Sequence, residues 1–182
     1  MMRFGLCALA VLGMAACSPG AIKVETDGGE TVEINGRGGY TLQVVGSDSQ
    51  QVYVVTSPDG RSAAAKVEGE VSSLLGSAEA QNLVATNQAA LAAAEPAGED
   101  VNISLPGFSL KVTENGPNGE SGRVKMKAMG FDLDVDAKDS ADGERAVVRI
   151  GGADAKSARE FIEGADGLSA ETRAEMLRKV GL

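Results

Sequence analysis

The chain has 182 residues, 43% hydrophobic and 24% charged, with a formal net charge of −9 at pH 7. That balance belongs to a folded chain and not to a disordered one, and so acidic a surface disfavours nucleic acid and anionic headgroups. There is no histidine, which removes the commonest general base, the commonest metal ligand and the Ser-His-Asp scheme.

The N-terminus carries the most specific pattern. Arg3 supplies a short positive head, Leu6 to Met14 form an apolar run, and Ala15-Ala16-Cys17 closes it with two small residues and a thiol. This is the layout of a secretory signal peptide. The run is too short for a transmembrane helix, which needs about 20 apolar residues. Ala15 and Cys17 fit the small-residue rule of ordinary cleavage poorly. Met14-Ala15-Ala16-Cys17 resembles the lipobox of bacterial lipoproteins, with Met14 where Leu is usual. The resemblance covers this stretch alone. It implies that residues 1–16 are a signal peptide and that Cys17 becomes an acylated N-terminus, with residues 17–21 as a short tether. Ser18 stands where that family places an Asp for inner-membrane retention, so the resemblance implies an exported protein on the periplasmic face of the outer membrane. The other cysteine, Cys7, lies in the apolar run, which leaves the body without a disulfide or a reactive thiol.

From Ile22 to Glu68 the sequence predicts short antiparallel strands of period two. Ile22 and Val24 alternate, and Asp27-Gly28-Gly29 turns the chain. Thr31 to Ile34 follows, and Asn35-Gly36 with Gly38-Gly39 reads as another turn. Tyr40–Val45 and Gln51–Thr56 are further strands. Ser57-Pro58-Asp59-Gly60 is a turn in which Pro presets φ and Gly takes a positive φ. Arg61–Glu68 returns as a partner strand.

Glu70 to Glu95 is rich in strong helix formers. Val71, Leu74, Leu75 and Ala78 keep helical spacing, and Leu83, Val84, Asn87 and Leu91 keep it again on a rotated face. A break is therefore expected near Gly76-Ser77, with Ser77 as N-cap, and an end at Glu95-Pro96-Ala97-Gly98. Strands resume at Val101–Leu105, and Pro106-Gly107 breaks them. Phe108, Leu110 and Val112 share a face, and Asn115 to Gly122 is a polar turn. Val124, Met126 and Ala128 then face inward, as do Phe131, Leu133 and Val135, and Lys138 to Gly143 turns the chain into Ala146, Val148 and Ile150. Gly107 to Val112 echoes Gly130 to Val135, as similar strands in one sheet. In the tail, Asp154 caps a helix over Ala155–Glu163 that stops at Gly164, with Ala155, Ala158, Phe161 and Ile162 on one face. Ser169 caps a second helix, Ala170–Val180, with Glu171 at its positive end and Arg178 and Lys179 at its negative end.

Candidate chemistry in the body is thin. Lys125 and Lys127 precede Asp132, Asp134 and Asp136, and a hairpin through Met129-Gly130 would set the opposite charges across from each other as a solvated ladder. The same three aspartates are the one candidate metal set, since Asp-x-Asp-x-Asp opens a calcium loop; Ala137 stands where that loop needs Gly, and Gly143 where it needs Glu. Gly36-Arg37-Gly38-Gly39 lacks the spacing of a phosphate cradle. No catalytic residue and no cofactor is expected.

The sequence thus predicts an α+β fold: a mostly antiparallel β-sheet or open sandwich with one central helix and two short C-terminal helices, over residues 22–182 as one domain or as lobes 22–95 and 99–182. The function expected is that of a non-enzymatic, lipid-anchored cell-envelope protein with a structural or protein-interaction role, its partners being the membrane through the N-terminal lipid and an envelope protein or lipid. The alternative is a periplasmic carrier of an apolar ligand in a cavity lined by Phe108, Leu110, Met126 and Phe131.

Overall fold

The computed structural model describes residues 21–25, 31–47, 49–92, 99–105, 108–115, 121–128, 130–138 and 145–182. The expected signal peptide and nearly all of the expected tether lie outside these residues. So do the expected turns at Asp27-Gly28-Gly29 and Pro106-Gly107, the helix end at Glu95–Gly98, and most of the turns near 116–120 and 139–144.

The strands are β1 (Ala21–Glu25), β2 (Thr31–Ser47), β3 (Gln50–Thr56), β4 (Ser62–Glu68), β5 (Val71–Leu75), β6 (Glu99–Leu105), β7 (Phe108–Asn115), β8 (Ser121–Ala128), β9 (Phe131–Lys138) and β10 (Arg145–Ala153). The helices are α1 (Ser77–Ala92), α2 (Ala155–Glu163) and α3 (Ala170–Val180). All pairings are antiparallel, in the order β5-β4-β3-β2-β10-β9-β8-β7-β6, with β1 on the N-terminal part of β2. The architecture is an open antiparallel sheet with three helices, of the α+β class. Two meanders, β2 to β5 and β6 to β10, meet where β2 pairs with β10.

Cross-strand register makes the core. Ala63, Val55, Leu42, Ile150, Leu133 and Met126 stand opposite one another across six strands and are all buried. They join Ala158, Ile162, Met176 and Val180 of α2 and α3 in one cluster. Val147, Val45 and Val52 form a second row on the alternate positions and cluster with Ala80 and Leu91 of α1, with Leu83 and Val84 packed alongside. Strands β2, β3 and β10 are therefore apolar at successive positions, Val44-Val45, Val52 to Val55 and Val147-Val148, as strands buried on both faces are. The period-two expectation for Ala146, Val148 and Ile150 omitted Val147.

Three local expectations need correction. Val71–Leu75 is a strand and not helix: it pairs with β4 from Glu68↔Val71 to Ala64↔Leu75. The cap position of α1 is Gly76, whose carbonyl accepts from Ala80 N–H at 2.9 Å, and Ser77 is the first helical residue. Asn35 to Gly39 is not a turn, because β2 runs unbroken from Thr31 to Ser47. There the glycines serve close approach. A Cβ on Gly38 would stand 2.1 Å from Asp154 Cα, and one on Gly152 would stand 1.9 Å from Gly130 O. The β2–β10 register shifts between Gly151 and Ala153, and Gly152 sits in that bulge at φ 86°.

The two C-terminal helices form as their caps dictate. Asp154 Oδ1 accepts from Ser157 N–H at 2.7 Å, and Ser169 Oγ accepts from Thr172 N–H at 3.2 Å. Gly181 at φ 78° closes α3, with Leu182 N–H donating to Leu177 O at 2.9 Å. Buried Ser157, Ala158 and Ile162 define the inner side of α2, whereas Ala155, expected there, is exposed.

Candidate functional site

The charged hairpin takes the expected register: Lys127↔Asp132, Lys125↔Asp134 and Arg123↔Asp136. Strand alternation sets the three carboxylates on one face, each beside a cation. Lys125 Nζ lies 3.4 Å from Asp134 Oδ2, Arg123 Nε donates to Asp136 Oδ1, and Arg149 Nη1 reaches Asp132 Oδ2 from β10 at 2.7 Å. The three aspartates lie along a strand and not in a loop, and no group of three metal-ligating side chains occurs among the described residues. Asp134 Oδ1 is buried without a hydrogen-bond partner. The lattice it belongs to is half exposed, so its pairs contribute modestly.

The residues named for an apolar ligand fall into two groups. Met126 and Phe131 are buried in the cluster that includes Leu133, Ile150 and Ile162. Phe108 pairs with Ala128 and Leu110 with Met126 in backbone register, and their side chains lie outside the described residues. Cys17 also lies outside them. Gly36 to Gly39 belongs to the strand β2 and not to a loop.

Two polar clusters had no signal in the sequence, because each joins distant segments. Ser72 Oγ on β5 accepts from Ser169 N–H at 3.0 Å and lies 3.2 Å from Thr172 Oγ1, which is itself 3.1 Å from Ser169 Oγ. These hydroxyls knit the start of α3 to the sheet, and a chain without histidine offers them no imidazole base. The second cluster centres on Tyr53, which is buried edge-to-face against Phe161 with ring centroids 6.0 Å apart. Its hydroxyl donates to Gln51 Oε1 at 2.6 Å. Burial, reinforced by the Asp166 carboxylate, pushes the phenol up to about 12. A buried phenol held neutral is a core feature and supplies no base at neutral pH.

No protein-family model, curated protein or solved structure matches this chain. No helix among the described residues is long and apolar enough to cross a membrane. Functional assignment therefore rests on the residues themselves.

Proposed function

We propose that the chain is an exported, lipid-anchored protein of the bacterial cell envelope, held through Cys17 and acting in a structural or protein-interaction role without catalysis. The observation that carries this reading is Met14-Ala15-Ala16-Cys17 directly behind the apolar run from Leu6. Each buried methylene of such an anchor contributes about 0.8 kcal/mol, so several acyl chains hold firmly where one does not. Ser18 after Cys17 favours the periplasmic face of the outer membrane. The body is read as an antiparallel sheet with α1 crossing it centrally and the two short C-terminal helices closing the cluster around Leu42 and Ile150. In keeping with a non-catalytic role, Asp132, Asp134 and Asp136 are each matched by a cation, Arg149, Lys125 and Arg123 respectively.

The test is intact mass and detergent partitioning of the membrane fraction, for wild type and Cys17→Ser. The expected result is a mass lacking residues 1–16 and carrying acyl chains, with partitioning lost in the variant. An unmodified protein that remains in the aqueous phase overturns the anchor.

A further inference from the structure

One edge of the sheet is built differently from the rest of the surface. Among the described residues β5 has a strand neighbour on one side only, β4. Its sequence, Val71-Ser72-Ser73-Leu74-Leu75, carries no charge and no proline, the usual devices by which an edge strand is blunted. Val71 is 68% exposed and Leu74 37% exposed, and they are the exposed large hydrophobics among the described residues. The strand is nonetheless firmly held. Leu75 is buried under α1, and Ser72 is bonded to the first turn of α3. A rigid, uncharged, partly apolar edge is a template for another strand, whose main chain supplies hydrogen bonds and whose alternate side chains supply selectivity.

The rim of this edge selects the occupant. Glu68 stands opposite Val71, and Glu70 precedes it in the turn. Glu171 lies in the first turn of α3 beside Thr172, and Glu79 lies in the first turn of α1 just after the strand. All four carboxylates are exposed. Lys66 of β4 is paired with Glu68 at 3.0 Å. We infer that β5 is a docking edge for an extended segment of a partner protein, one with apolar residues three positions apart, so that one falls on each strand face beside Val71 and Leu74, flanked by lysine or arginine. The inference rests on the protein-interaction reading above and gives it a place and a chemistry. A second copy of this chain would bring its own carboxylates against the same rim, and an anionic headgroup surface would be repelled by it.

The experiment uses the full chain in neutral detergent and two synthetic peptides. Both contain valines three positions apart, one for each strand face; one peptide is flanked by lysines and the other by glutamates. Fluorescence anisotropy is expected to show binding of the lysine peptide that weakens as salt rises, and little binding of the glutamate peptide. Leu74→Lys is expected to weaken the lysine peptide at least about tenfold, the effect of losing one apolar anchor and adding a like charge. Its thermal melt should stay close to wild type, as for exposed substitutions. Glu70→Lys with Glu79→Lys should reverse the preference toward the glutamate peptide. Equal binding of both peptides, or binding of neither, overturns the inference. So does a concentration-dependent dimer that Leu74→Lys dissociates, since the occupant would then be a second copy. None of these readings depends on acylation of Cys17, so failure here and failure of the anchor test are separate results.

Discussion

Replacing Gly152 by alanine tests the close approach of the β10 bulge to the turn before β9. Gly152 sits at φ 86°, a region costly for any residue with a Cβ, and its added methyl would stand 1.9 Å from Gly130 O and 3.0 Å from Gly130 C. The conformational cost alone is about 1–2 kcal/mol. The overlap is with backbone, so relief requires strands β9 and β10 to move, at a further cost of about 1–3 kcal/mol. The sum, about 2–5 kcal/mol, is a large part of the 5–15 kcal/mol typical of a folded domain. At roughly 2–4 °C per kcal/mol for a chain of this size, Tm should fall by about 4–20 °C. Gly60→Ala is the control. Gly60 has φ 84° but nothing within 4 Å of the added methyl, so it isolates the conformational cost. Calorimetry or denaturant melts of both variants measure the difference. If Gly152→Ala costs no more than Gly60→Ala, the backbone approach to Gly130 does not constrain the bulge and the reasoning fails.

Alkaline stability should report on Tyr53. Its folded pKa of about 12 lies above the ordinary value of 10.0, so the fold favours the protonated phenol. That contribution is fully present below pH 10 and is lost as pH rises through 12, a decline of about 2–3 kcal/mol at 1.36 kcal/mol per unit. Tyr53→Phe should cost about 1 kcal/mol at neutral pH through the lost bond to Gln51 and should flatten that alkaline decline in denaturant melts; an unchanged slope would assign it elsewhere. For the charged ladder, a double-mutant cycle on Lys125→Ala and Asp134→Ala should give a coupling below about 1 kcal/mol, because the two side chains are 53% and 38% exposed. Calcium should leave the wild-type Tm unchanged, and a rise that Asp134→Asn abolishes would reinstate a cation site.

Features whose determinants lie within a few residues were legible in the chain. The helices Ala155–Glu163 and Ala170–Val180 appear with the boundaries and caps expected, since Asp154 and Ser169 bind amides three residues on. The Lys/Asp hairpin likewise follows from alternation and a short turn, which fix register locally. Where both environments could use the same residues, distant contacts decided. Val71, Leu74 and Leu75 fit helical spacing better than strand alternation, which only Val71 and Leu75 keep, yet pairing with β4 and bonding of Ser72 to α3 made them a strand. Asn35 to Gly39 has turn composition, yet it continues β2 because Gly38 packs directly on Asp154 and β2 pairs with β10. Burial on both faces of β2, β3 and β10 could not be read from an alternation that assumes one wet face. Sequence by itself determined the two capped C-terminal helices and the charged hairpin, and it carries the resemblance of Met14 to Cys17 to a lipobox. Tertiary structure decided strand order, the two-sided core and the exposed edge at β5, because each depends on free energy gained between segments that no local pattern brings together.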